Sequence, residues 1–170
     1  MRAIADDVGV TAMALYRHYP DKDAILLAIA MDALGEWERR VLAIKADNPL
    51  AWLERDAEEF LEFALVTPRR FEAAFLMPAA NIRRLPEVIE QRQSPPLNRI
   101  ADVIREAQRQ GLIEKLPPAD IIMTMWGLTQ GLISLYRANR FEGDEQGFRM
   151  IYRAAVRRCL KSFRTKGDTP

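Results

Sequence analysis

Nearly every apolar stretch of this chain repeats at intervals of three and four residues, and proline or glycine punctuates the chain between one stretch and the next. Runs of β-branched residues in strict alternation, the mark of a half-buried strand, are absent. A chain patterned this way can bury its apolar stripes only by packing helix on helix, so the expected fold class is all-α. At 170 residues, with 49% of them apolar, it is long enough for one good core and too apolar for disorder.

The punctuation places the elements. A short helix through Ile4-Ala5-Asp6-Asp7-Val8 meets a glycine turn at Gly9, and Thr11 caps a second helix. Asp21 caps a long one from about Lys22 to Ala46, with Ile25, Leu26, Ile29, Ala33, Trp37 and Val41 at helical spacing. Asn48-Pro49 opens the next, which carries Trp52, Leu53, Phe60, Leu61 and Ala64. Thr67-Pro68 closes that helix and starts another through Phe71, Phe75 and Leu76, interrupted by Met77-Pro78. A short helix is expected over Leu85 to Gln93. Ser94-Pro95 then caps one with Leu97, Ile100, Ile104 and Ala107 inside, and Gly111 suits the left-handed turn at its end. Pro117-Pro118 precedes a helix reaching about Asn139. After Gly143-Asp144 the last helix turns Phe148, Ile151, Tyr152, Ala155, Leu160 and Phe163 inward.

Several function classes recede on composition. Cys159 is the sole cysteine, which excludes an internal disulfide and a cysteine-built zinc cluster and fits a reducing cytoplasm. His18 is the sole histidine, so one His and one distant Cys supply no catalytic constellation; the reading is not an enzyme, with no metal and no cofactor. The longest stretch without a charge, Ile121 to Tyr136, falls short of the ~20 apolar residues of a membrane span and reads as a buried helix. No secretory signal opens the chain. A net charge of +1 exerts no global pull on nucleic acid, so any such pull must be local. The cations of the last helix, Arg149, Arg153, Arg157, Arg158, Lys161, Arg164 and Lys166, read as a solvated face opposite the apolar one.

The opening stretch offers that local site. In a helix-turn-helix a small residue sits where the helices touch, a residue tolerant of positive φ makes the turn, and an apolar one anchors the second helix; Ala5, Gly9 and Leu15 have that spacing. An ordinary helical hairpin with a glycine cap has it too. The residues that follow are more particular. Gly9-Val10-Thr11-Ala12-Met13-Ala14-Leu15-Tyr16-Arg17-His18-Tyr19-Pro20-Asp21-Lys22-Asp23-Ala24-Ile25 resembles the TetR (tetracycline-repressor-like) family of bacterial transcriptional regulators, whose head ends in a pattern of the type Gly-Val-Ser-x-x-Thr-Leu-Tyr-x-His-Phe-x-Ser-Lys-Glu-x-Leu.

That resemblance implies a division into residues 1–45, a DNA-binding head (about 1–22) with its linking spine helix, and residues 46–170, a ligand-binding and dimerisation body. It implies that Tyr16, His18 and Lys22 contact phosphates, with Thr11 beside them, and that Tyr19 packs inside the head. Reading of bases would fall to Arg2, Ala12, Met13 and Arg17; Ala14 departs from the family's Thr or Ser and forgoes that hydroxyl. These residue types suit the roles, since a phenol, an imidazole, a lysine and a helix N-terminus hold phosphate oxygens while arginine can bridge two acceptors of guanine.

The resemblance further implies a homodimer on a pseudo-palindromic double-stranded DNA operator, joined through the last two helices at about 119–139 and 144–164, with Gly127, Gly131, Leu128, Leu135, Tyr152 and Ala155 as interface candidates. A body cavity for an apolar or aromatic effector would draw on Trp52, Phe63, Phe75, Met77, Met123, Trp126 and Gln130. The implied function is a ligand-responsive transcriptional regulator, a repressor as in most of the family. The alternative is a helical small-molecule-binding dimer whose head is incomplete: Met1 stands almost at the motif, so Ile4, Val8, Leu15 and Tyr19 are expected to lack part of their cover unless a further helix precedes them.

Overall fold

The computed structural model describes residues 1–77 and 85–165. Among these residues there are helices and no strands: α1 (Arg2–Asp7), α2 (Ala12–His18), α3 (Lys22–Ala43), α4 (Pro49–Val66), α5 (Pro68–Phe75), α6 (Glu87–Glu90), α7 (Pro95–Arg109), α8 (Pro118–Arg137) and α9 (Glu145–Ser162). One isolated antiparallel bridge, Ile113 with Arg164, ties the α7–α8 loop to the end of α9. Pro78 and Lys166, named above, lie outside the described residues, as does the whole stretch 78–84.

The expected caps form. Backbone N–H groups of Ala14, Ala24 and Ala51 donate to the side chains of Thr11, Asp21 and Asn48 at 3.2, 2.8 and 2.9 Å, each satisfying a donor that the first helical turn leaves open. Ser94 starts α7 without a side-chain bond of this kind. Gly9, at φ 71°, lets the Val10 amide reach back to the Ala5 carbonyl at 3.0 Å. A side chain there would be strained even though nothing crowds the Cβ position.

The core is aromatic at its centre. Trp37 of α3 meets Phe60 and Phe63 of α4 at 5.3 and 6.0 Å between centroids, and Phe71 and Phe75 of α5 close the cluster at 5.1 Å from Phe60. Most of these pairs are edge-to-face, the arrangement that sets a positive ring edge against a negative face. A second stack, Tyr136 on Phe148 at 4.1 Å, joins α8 to α9.

Two sequence expectations about α9 change. Arg149 and Arg153 do not form a solvated face: Arg149 binds Glu62 and Glu145, Arg153 binds Glu58, and so two of the cations lace α9 to α4. The Arg149 hydrogen bond is the chief cause holding the Glu62 carboxyl below its ordinary range. Ile151, expected inside, is 47% exposed, whereas Tyr152 is 1% exposed and donates its phenol hydrogen to the Ala57 carbonyl of α4 at 2.7 Å. Tyr152 therefore belongs to the core of its own chain and not to an interface.

α1 and α2 pack on each other and make no extensive contact with any other described element. They hang from the N-terminal end of α3, whose 22 residues extend about 33 Å at 1.5 Å per residue. Arg70 of α5 pairs with Asp32 and Glu36 of α3, both at 2.5 Å, fastening the middle of that long helix to the rest.

Candidate nucleic-acid interface and body cavity

On α2, Met13, Tyr16 and Arg17 stand at i, i+3 and i+4 and share an exposed side. Met13 is 73% and Tyr16 51% exposed, large values for apolar bodies on so short a helix. Ala12, Leu15 and Tyr19 make the opposite, half-buried side, so Ala12 is the least accessible of the base-reading candidates. Arg2, Thr11, His18 and Lys22 are exposed. The Thr11 side-chain oxygen already accepts from Ala14, which leaves its hydroxyl hydrogen for an outside acceptor. Lys22 opens α3 beside the Asp21 cap, where helix amide groups point outward.

Arg2, Arg17 and Lys22 enter no ion pair among the described residues. That contrasts with the body, where Arg40, Arg70, Arg92, Arg137, Arg149 and Arg153 are all paired. Of the residues expected to lack cover, Val8 is 61% exposed, while Ile4, Leu15 and Tyr19 are half-buried. Ile29 and Met31 on α3 are open too, at 49% and 57%.

The body holds a cavity of about 1120 Å³ between α3, α4, α5, α7 and α8. Five of the seven pocket candidates line it: Phe75, Met77, Met123, Trp126 and Gln130. Trp126 Nε1 donates to Gln130 Oε1 at 2.6 Å and Gln130 Nε2 donates to the Phe75 carbonyl at 3.4 Å, so the amide is held in place on the wall. The other two candidates are corrected. Phe63 is fully buried inside the aromatic cluster. Trp52 is 3% exposed, donating its indole N–H to the Ile44 carbonyl at 3.1 Å under the Arg99 guanidinium. Both fill space that the cavity does not reach.

Trp37 and Phe60, which the sequence marks only as apolar helix faces, line the cavity too, as do Asp56 and Glu38, which the sequence reading does not single out. For Asp56 the signal was present: it interrupts the α4 stripe of Leu53, Ala57 and Phe60, where a charge has no solvent to meet. Its Oδ1 is shut from solvent with no hydrogen-bond partner. Burial, reinforced by nearby Glu59, pushes its carboxyl up to about 7. Burial and then the Asp56 charge also hold the Tyr152 phenol above its usual range.

Gly127 and Gly131 border this cavity along α8, with nothing within 4 Å of either Cβ position. Leu128 and Ala155 are half-buried and Leu135 is 48% exposed. Met150, which the sequence reading does not single out, and Ile151, which it turns inward, are apolar residues on the outer side of α9, at 61% and 47%. No three His, Cys, Asp or Glu side chains converge to hold a metal among the described residues, and no helix there is long and apolar enough to cross a membrane.

Residues 1–29 match the family model described as bacterial regulatory proteins, tetR family, and residues 53–159 match the tetracyclin repressor-like C-terminal domain. The chain belongs to the TetR family. Both matches are to regulatory-protein domains, which makes it a TetR-family transcriptional regulator.

The TetR chain is similar in structure to a protein with unknown function from Rhodococcus sp. RHA1, at TM-score 0.74 and 19% identity over 96% of this chain and 84% of that one. It is similar also to a TetR family transcription regulator from Marinobacter aquaeolei VT8, at TM-score 0.68 and 17% identity over 96% and 83%. At such identities the likeness concerns the all-α fold alone. No curated protein matches the TetR chain.

Proposed function

We propose that the protein is a ligand-responsive repressor that binds a pseudo-palindromic operator as a homodimer. Residues up to about 22 serve as the head, α3 as the link, and the remainder from about 46 as the body. The observation that carries the reading is the continuity of α3: the helix that begins at Lys22 beside the exposed face of α2 puts Met31, Leu34 and Trp37 into the cavity wall. Anything that fills the cavity presses on the element from which the head hangs.

Tyr16, His18, Lys22 and Thr11 fix the head on the phosphate backbone, while Met13, Arg17 and Arg2 reach base edges and Ala12 lends a small contact behind them. The reading is tested by enriching a randomised duplex pool on the full chain. An inverted repeat with half-sites about one helical turn apart, 34–36 Å, is the expected product. Log affinity should fall linearly with log salt. Recovery of no repeat, with no binding even at low salt, overturns it. Within a working complex, Lys22→Ala lowers affinity for all sequences alike and reduces the salt slope by about 1, whereas Arg17→Ala loses about 1–3 kcal/mol of discrimination at one base pair per half-site. Competition with mismatched duplexes separates the two.

Support for the dimer comes from the outer sides of α8 and α9, where Leu135, Met150 and Ile151 stay 47–61% exposed. Apolar groups gathered on adjacent helices mark a surface that another chain covers. Ile151→Arg is expected to convert the dimer to monomer at micromolar concentration in light scattering, with the helical content unchanged. A variant that stays dimeric places the interface elsewhere.

A further inference from the structure

We propose that the cavity takes a lipophilic organic cation, its charged centre against the Asp56 carboxylate and its apolar groups among the surrounding rings. This rests on the reading of the cavity as the effector site and names the chemical class of that effector.

Three features of the wall converge on this class. Asp56 is half-buried on the wall, its Oδ1 shut from solvent with no hydrogen-bond partner, so the chain itself does not compensate the charge that this carboxylate presents to the cavity. Trp37, Phe60, Phe75 and Trp126 line the same space, and a cation meeting a ring face there gains an electrostatic attraction on top of the apolar contact that a neutral group would make. The charged residues of the described lining, Glu38 on α3 and Asp56 on α4, are both acidic, so an anionic ligand is repelled from either side. The remainder of the wall is largely apolar, Leu53, Ile100, Ile122 and Met125 among it, and a small hydrated ion would have no coordination there. The volume of about 1120 Å³ admits a drug-sized molecule.

Tetraphenylphosphonium and tetraphenylborate have one shape and opposite charge, and Trp37 and Trp126 report their entry by fluorescence. At about pH 8, where the folded chain has released the Asp56 proton, the cation is expected to bind the dimer at least tenfold more tightly than the anion. Asp56→Asn is expected to weaken the cation at least tenfold while leaving the anion unchanged or improved. Glu38→Gln, on a separate helix, gives a smaller loss in the same direction and guards against a folding defect in the first variant. Equal binding of the two ions, or a cation affinity indifferent to Asp56→Asn, overturns the cationic class and leaves an effector site of another chemistry. Absence of any quenching by either ion, together with unaltered DNA affinity in their presence, overturns the effector reading as well.

Discussion

Phe63→Ala should lower the unfolding free energy by about 3–5 kcal/mol, the range for removing a fully buried phenyl ring that its neighbours cannot replace. Phe63 is wholly buried, stacks on Trp37 and meets Phe71 and Phe75 edge-on, so its loss opens a hole where α3, α4 and α5 meet. It also carries the Arg40 guanidinium over its face at 5.3 Å, an attraction that disappears with the ring. In a domain of this size the loss corresponds to a fall in Tm of roughly 6–20 °C. Trp52→Ala, equally buried but at the α3–α4 junction, offers a control: it too destabilises, yet it leaves the three-helix junction intact. If Phe63→Ala melts with the parent chain, the aromatic cluster is not what holds these helices together.

The second large effect depends on pH. Asp56 ionises near 3.8 in an unfolded chain and at about 7 in the fold, because burial disfavours its charge and Glu59 adds to the cost. Below about pH 4 the carboxyl is neutral in both states and takes nothing from stability. Between about 4 and 7 the unfolded chain sheds the proton while the folded one keeps it, so stability falls as pH rises, and above about 7 the full penalty stands. The upper bound is about 4 kcal/mol, and the open side of Asp56 toward the cavity reduces it to about 2–3. Asp56→Asn carries no such charge. Its Tm should exceed that of the parent by roughly 4–12 °C at about pH 8 and match it at about pH 4. Melting curves that run parallel across this range would mean that Asp56 is solvated in the fold.

Much of the architecture was legible in the chain because its boundaries are set locally. Asn48-Pro49, Thr67-Pro68, Asp21 and Thr11 act on their own turns, and each helix begins where they stand. Gly9 was legible for the same reason: one residue in left-handed backbone decides the turn. What the sequence left open depends on partners far along the chain. Ile151 and Tyr152 are adjacent and both apolar-bodied, and only the approach of α4, with the Ala57 carbonyl waiting, decides which of them turns inward. Arg149 and Arg153 looked solvated because Glu58 and Glu62 lie about 90 residues away in sequence. For the cavity, aromatic residues at helical spacing serve equally as wall or as filling; Phe75 and Trp126 became wall, Phe63 and Trp52 filling. The head residues were recognised through the family pattern, since their exposure and unpaired charges have no local signature.

The long, single-piece α3 has a mechanical corollary. From Trp37 to Lys22 is about 22 Å along the helix axis, so a tilt of about 5° pivoting at Trp37 sweeps Lys22 through about 2 Å. That gearing converts a displacement too small to break any contact in the core into one larger than the tolerance of a hydrogen bond at the far end. In a symmetric pair the two sweeps add. Under the proposed function, the stiffness of one uninterrupted helix, free of proline from Lys22 to Ala43, sets the ratio of output to input.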